Sequence, residues 1–427
     1  MKADHLYRKT VLDNGVRIVS ARVDHMRSVS LGLWAHVGSR NETDLNAGTA
    51  HFIEHMLFKG TTHRSGVQIA MELDSLGGFH NAFTGKETTC FHGRVLAKHF
   101  SKLAEILSDI FLNSIFDPLE IERERQVILQ EISMVQDTPD EYIHEIFNAV
   151  LWKGHPLSLP ILGDNETVSR ITRDSILDFM KSHYLPDRIL IVSAGGIEHE
   201  EVLAFFEPVF GVLDGTETIA AISNPEIQHS VSMIEKDLEQ VHLCLGGEAP
   251  SLTDDKRFAC GILNTLLGGN MSSRLFQEIR EKRALAYSIY SFLNSFRDTG
   301  ALGIYAATEP DKTQEALEVI RDEVSRIIDG DVSTSDLNAA KEHLVASLYL
   351  SSESADSRMI RLAKNELVYG RDVTYDEVIE RLEGVSPEEV MKVAEKIFGN
   401  GRMALATLGP LEQGNIDSSI ISFLKGT

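Results

Sequence analysis

Along the first hundred residues the apolar positions switch between two periods, and the switches mark the elements. Val11 and Val19 flank an Asp13-Asn14-Gly15 turn, which predicts two strands joined by a tight turn. Ser28–Val37 (SVSLGLWAHV) alternates, is β-branched in part, and predicts a third strand. From Asn46 to Phe58 the period lengthens: Phe52, Ile53, Met56 and Leu57 recur at helical spacing. Ser65–Leu76 predicts a second helix, closed by Gly77-Gly78. Phe79–Val95 returns to strand character and turns at Thr84-Gly85-Lys86. Lys98–Leu112 is amphipathic. Asp117–Gln136 predicts a long helix opened by Asp117-Pro118, an N-cap followed by proline in the first turn.

The pattern then repeats. Ile171–Gly196 (ITRDSILDFMKSHYLPDRILIVSAGG) aligns without a gap on Val385–Pro410 (VSPEEVMKVAEKIFGNGRMALATLGP). Each copy has a capped helix, opened by Thr172 or Ser386 and ending in an aromatic, Tyr184 or Phe398. Each continues through Arg188 or Arg402 into an apolar strand and a glycine, Gly195 or Gly409. The helix pair in Leu103–Ser133 matches Leu317–Leu348 more loosely. Two copies of one α+β unit are expected, residues 1–215 and 216–427, joined near Gly215–Pro225. Strand runs mixed with helix pairs, without strict βαβ alternation, predict α/β-sandwich-type domains with mixed or antiparallel sheets.

Composition narrows the function classes. The 427 residues carry 41 Lys+Arg against 64 Asp+Glu, a formal charge of −23. That balance argues against a nucleic-acid surface and would suit a basic peptide, although solubility alone explains many acidic chains. Three cysteines, Cys90, Cys244 and Cys260, make neither a disulfide framework nor a Cys-rich zinc module. The N-terminal stretch lacks the apolar core of a secretory signal, and no uncharged apolar run reaches the length of a membrane span. A cytoplasmic protein is expected.

The chemistry concentrates in His51-Phe52-Ile53-Glu54-His55, the inverted zincin pattern. Residues three and four apart share a helix face, so His51 and His55 can aim at one ion while Glu54 stands beside it as a base for water. Two histidines make too weak a site. The best third ligand is Glu131, on the predicted helix Asp117–Gln136. Glu124, two turns earlier on the same face, is placed to orient a ligand histidine. The expected ion is zinc, one per chain, with a coordination position left open for water. Laid over the second copy, His51, Glu54 and His55 fall on Cys260, Leu263 and Asn264, so only the first copy has ligands.

HFIEHMLFKGT, ERERQVILQE, LGGFHNAFTGKETTCF and GGNMSSRLFQEIREKRALAY together resemble the pitrilysin family of inverted zincin metallopeptidases, over essentially the whole chain. Length and internal repeat look like the processing-peptidase branch, in which one chain is half of a clamshell. The resemblance implies that His51, His55 and Glu131 bind zinc and that Glu54 is the general base. It places Glu124 near the site as a second carboxylate. Arg280 and Tyr287 match the family's Arg-x6-Tyr pair, which holds the substrate carbonyl. Asn81, Ala82, Phe83 and Thr84 match its substrate-binding edge strand. Ser158 stands where the family's His-Pro-Leu-Gly stretch usually has its glycine.

The expected function is therefore a zinc metalloendopeptidase that cleaves unfolded peptides or oligopeptides inside a dimeric chamber. A homodimer is favoured because one chain carries both the ligand set and the Arg–Tyr pair. A heterodimer with an inactive partner is the alternative, and a non-catalytic assembly subunit is the rival from another class.

Overall fold

The computed structural model describes residues 6–215, 224–227, 229–411 and 416–426. In chain order the elements begin β1 (Leu6–Val11), β2 (Arg17–Arg22), β3 (Ser28–Ala35), α1 (Thr49–Leu57), α2 (Gly66–Ser75), β4 (Phe79–Thr84) and β5 (Thr89–Leu96). Helices α3 (Phe100–Asn113), α4 (Pro118–Gln136), α5 (Pro139–Leu151), α6 (Asn165–Arg170) and α7 (Arg173–His183) precede β6 (Ile189–Gly195) and α8 (His199–Phe210). Then come β7 (Ser230–Glu235), β8 (Val241–Ala249), α9 (Arg257–Gly268), β9 (Ala286–Ser295) and β10 (Gly300–Thr308). The chain ends with α10 (Thr313–Ile328), α11 (Thr334–Ser352), α12 (Ala355–Tyr369), α13 (Tyr375–Gly384), α14 (Pro387–Phe398), β11 (Ala404–Gly409) and α15 (Ser418–Lys425). No helix among the described residues is long and apolar enough to cross a membrane.

Both sheets are mixed, as the pattern predicts. One runs β1-β2-β6-β3-β5-β4 and the other β7-β11-β8-β10-β9. The parallel pairs are β2 with β6 and β11 with β7, and every other neighbouring pair is antiparallel. Without β1, the two orders are the same topology, β2-β6-β3-β5-β4 matching β7-β11-β8-β10-β9. The repeat reaches single residues. Gly195 and Gly409 close matching strands at φ of 133° and 144°. A Cβ there would meet Ser28 O at 2.3 Å in one copy and Gln240 O at 2.5 Å in the other. Only glycine fits both the backbone angle and the approach.

The two compact units are not separated by one cut. One comprises Met1–Ser133, Leu159–Ile222 and Tyr349–Thr374; the other comprises Met134–Ser158, Ser223–Leu348 and Tyr375–Thr427. These units depart from the expected 1–215 and 216–427 division by two exchanged segments, and residues 216–223 of the expected join near Gly215–Pro225 lie outside the described residues. The crossings fall inside α4 and α11, the matching helices of the repeat. What is exchanged is a lid for the second face of each sheet. In the first unit, Ile18, Leu31 and Leu33 pack with Phe52, Leu103 and Phe206 on one face. Trp34, Leu190 and Val192 pack with Met359 and Leu362 of α12 on the other. In the second unit α5 plays α12's part, setting Ile143, Phe147 and Leu151 on Cys244, Tyr305 and Leu408. Central strands covered on both faces must be apolar throughout, and β6 and β11 are buried along their whole lengths.

Polar contacts hold both ends of α12: Asp356 in its first turn meets Ser30 and Arg94, and a buried carboxylate holds its last turn. Glu366, with 1% of its side chain exposed, lies 2.7 Å from Lys9 Nζ and 3.5 Å from an Arg17 guanidinium nitrogen. Lys9 also donates to Gly370 O at 2.9 Å. Glu366→Ala leaves both cations without their buried partner; because each keeps some solvent contact, the cost is expected to be about 2–3 kcal/mol. Urea denaturation should report that loss, and hydrogen exchange should quicken first in α12. Unchanged α12 protection would mean that the remaining contacts hold the helix.

Candidate metal centre

Helix α1 begins three residues later than its apolar pattern predicts. Gly48, at φ 91°, turns the chain into it, and a Cβ there would meet Leu162 O at 2.5 Å. Ala50, Phe52, Ile53, Met56 and Leu57 are buried in the core. That orientation turns His51, Glu54 and His55 the other way. Helix α4 buries Ile121, Ile128 and Ile132, and on the same side Glu124 and Arg125. The Arg125 guanidinium lies over the Phe52 ring of α1 at 5.7 Å and donates to Ile171 O at 2.7 Å, which ties α4 to α1.

The two helices bring the sequence-predicted ligands together. Nε2 of His51 is 3.9 Å and Nε2 of His55 3.8 Å from the same Glu131 carboxylate oxygen. One ligand atom from each residue lies within 4.8 Å of the other two. Nitrogen and oxygen ligands about 2.1 Å from a tetrahedral ion would be roughly 3.4 Å apart, so small rotamer changes would close the set. Two imidazoles and one carboxylate are the donor set of a zinc site with one position open. The residues fit zinc.

The surroundings divide the histidines. His55 Nδ1 is 3.1 Å from Glu124 Oε2, as expected for a carboxylate that orients it, and Lys59 Nζ holds the other Glu124 oxygen at 2.7 Å. His51 Nδ1 is buried without a hydrogen-bond partner among the described residues. Burial, and secondarily His55, push the His51 imidazole down to about 3, so it is neutral in the metal-free protein at neutral pH. Glu54 Oε2 accepts a hydrogen bond from Thr84 Oγ1 at 2.6 Å. Burial raises the Glu54 carboxyl, while the Thr84 hydroxyl and His55 act to lower it.

Sequence reasoning put Thr84 in a substrate strand and missed its bond to Glu54; strand parity, which sets Ala82 and Thr84 on one face, was the available signal. It missed Lys59 as well, which lies just past the end of α1, four residues after His55. Asn81, Ala82, Phe83 and Thr84 lie in β4, the edge strand, which pairs only with β5 among the described residues. Asn81 is exposed, Ala82 packs on the core and Phe83 meets Trp34 edge-on at 5.4 Å. Arg280 and Tyr287 belong to the other unit. Arg280 sits in a seven-residue π-helix, Phe276–Lys282, with its guanidinium 4.3 Å from the centre of the Tyr287 ring, and Tyr287 is 77% exposed.

The depressed His51 value carries a pH dependence. Below its ordinary value of 6.5 the unfolded chain takes up a proton that the folded metal-free chain refuses until about 3. The stability His51 contributes is thus present above pH 6.5 and is lost as pH falls toward 3. Urea melts of metal-free protein between pH 6.5 and 5 should show a steeper loss for the wild type than for His51→Gln. Parallel slopes would contradict a neutral buried His51.

Comparison with known proteins agrees with the family resemblance and the topology. The family model described as Insulinase (Peptidase family M16) matches residues 17–165, and that described as Peptidase M16 inactive domain matches residues 170–344. A Bacillus subtilis protein named uncharacterized zinc protease YmxG is 38% identical over 97% of this chain and 100% of its own length. A Streptomyces coelicolor protein, also named an uncharacterized zinc protease, is 36% identical over 95% of this chain and 90% of its own. Among solved structures, a Helicobacter pylori protease has a TM-score of 0.89 at 22% identity, covering 95% of this chain and 100% of that one. A Pseudomonas fluorescens structure described as a peptidase M16 inactive domain has a TM-score of 0.87 at 20% identity, covering 95% and 98%. The chain belongs to peptidase family M16, the insulinase or pitrilysin-like family, whose curated relatives here are named zinc proteases.

Proposed function

We propose that this protein is a zinc-dependent endopeptidase acting on unfolded peptides and short oligopeptides. The observation that carries the reading is the convergence of His51, His55 and Glu131, with Glu54 on α1 between the two histidines and held by Thr84. His51, His55 and Glu131 hold one zinc ion per chain, and Glu124 orients His55. Zinc, when bound, supplies Lewis acidity that makes a water acidic and the scissile carbonyl electrophilic. Glu54 takes the proton as the water attacks the carbonyl carbon, then delivers it to the leaving amine. Arg280 and Tyr287 donate hydrogen bonds to the developing oxyanion. The β4 edge at Asn81–Thr84 receives the substrate as an added strand, through main-chain bonds that tolerate many sequences.

The working form is a homodimer enclosing a chamber, in which Arg280 and Tyr287 of one chain serve the zinc of its partner. The net charge of −23 favours basic peptides.

The direct test is cleavage of a quenched basic peptide by wild type and by Glu54→Gln, with zinc content measured on both. Zinc in both proteins is expected, with cleavage about 10²–10⁴-fold slower in the variant. Zinc without wild-type cleavage points to a missing partner subunit. No zinc in either removes the catalytic reading and promotes the assembly subunit. The dimer has its own test: Arg280→Ala and Glu54→Gln chains, each inactive alone, should recover activity when mixed. Mixtures that stay inactive defeat the shared-site arrangement.

A further inference from the structure

His55 has a carboxylate to orient its ring, whereas His51 has no hydrogen-bond partner at Nδ1 among the described residues. The direction of His51 therefore depends on the backbone of the first turn of α1. That turn lacks the ordinary device for fixing it, because Gly48 at the N-cap has no side chain to accept the free N–H groups. Glu42, six residues earlier, fills the role. Its Oε2 accepts from Gly48 N–H at 2.8 Å and its Oε1 from Ala50 N–H at 2.6 Å. Ala50 immediately precedes His51.

Glu42 is only 2% exposed, and burial pushes its carboxyl up to about 8 against the pull of those two N–H groups and nearby Lys86. A buried carboxyl group is costly unless its oxygens are hydrogen-bonded, and both Glu42 oxygens are held by N–H groups of the first turn of α1. The turn that carries Glu42 is itself braced. Ser39 and Arg40 donate backbone N–H groups to Gly85 O at 3.1 Å and Lys86 O at 2.7 Å. The Arg40 guanidinium bonds the Glu87 carboxylate at 2.6 Å. These partners form the tip of the β4–β5 hairpin, next to Thr84 and its bond to Glu54. The hairpin thus reaches α1 at two points, through Glu42 at its first turn and through Thr84 at Glu54.

We propose that Glu42 is a positioning residue for the metal centre: its carboxyl group fixes the first turn of α1, holds His51 in register with His55 and Glu131, and links that turn to the hairpin that contains β4. The inference rests on the zinc-site reading given above.

Glu42→Gln keeps the shape but turns an amide donor toward one of the two N–H donors. Zinc affinity of the metal-free full chain, measured by competition with a chromogenic chelator well below the unfolding temperature, is expected to fall about tenfold or more. The visible spectrum of the cobalt-loaded protein should change with it. Ser386→Ala, which strips the cap from α14 in the other unit, should lower stability and leave both readouts at wild-type values. Wild-type zinc affinity and cobalt spectrum in Glu42→Gln would overturn the inference while leaving the metal site intact. A wild type that binds no zinc would overturn the metal site itself, and the inference with it. Should Glu42→Gln fail to fold, Glu42→Asp, one methylene too short, carries the same test with a smaller expected loss. Wild-type affinity in Glu42→Asp would then overturn the inference.

Discussion

The candidate metal centre depends on one constraint: α1 and α4 must each bury an apolar face in the same core while turning ionisable groups toward one another. Neither helix can rotate to suit its polar residues without exposing Phe52, Ile53 and Met56, or Ile121, Ile128 and Ile132. The Arg125–Phe52 stack and the Lys59–Glu124–His55 chain lock the pair from the polar side. Hydrophobic burial therefore sets where the ligand backbones stand, and hydrogen bonds to charged groups set the last few degrees of side-chain direction.

Duplication explains the fold around this pair. Each copy makes a sheet whose central strands are apolar on both faces, but its own helices cover one face fully. The exchanged helices α5 and α12 cover the other. Both leave their copy through a long helix of equal length, α4 or α11, in which the unit boundary falls. In the first copy that connecting helix also bears Glu124 and Glu131 before the boundary. The third ligand thus sits on the element that carries the chain out of the unit, anchored there by Arg125.

Much of this was legible in the sequence because it follows from spacing. The His51–Glu54–His55 set and the Glu124–Glu131 pair are fixed by helical periodicity, and the Ile171 and Val385 segments by direct alignment. The exchange of α5 and α12 was not legible. An amphipathic helix such as PDEYIHEIFNAVL declares that it covers something, and its pattern is the same whichever sheet it covers. The start of α1 was placed too early because Asn46 and Ala47 extend a plausible period, while the turn is decided by the tight approach of Gly48 to Leu162. The Thr84–Glu54 bond and the bonds of Glu42 follow no helix or strand period: the first spans 30 residues and the others 6–8 across an irregular turn.

The second copy shows what the first gives up in order to hold ligands. At the positions of His51, Glu54 and His55 it has Cys260, Leu263 and Asn264, the first two fully buried, and α9 is an ordinary core helix. Restoring apolar residues on α1 would add buried hydrocarbon at about 25 cal/mol per Å² and remove the desolvation of His51 and Glu54. The first copy retains both groups in forms that burial dictates. His51 is neutral, so it can offer a lone pair without first releasing a proton, whereas an exposed histidine near its ordinary value would be partly protonated. The Glu54 carboxyl is raised by the same burial, against the pull of the Thr84 hydroxyl and His55. The stability forgone on α1 and the reactivity placed there have one physical cause, the removal of water from around ionisable groups on a helix whose other face is core.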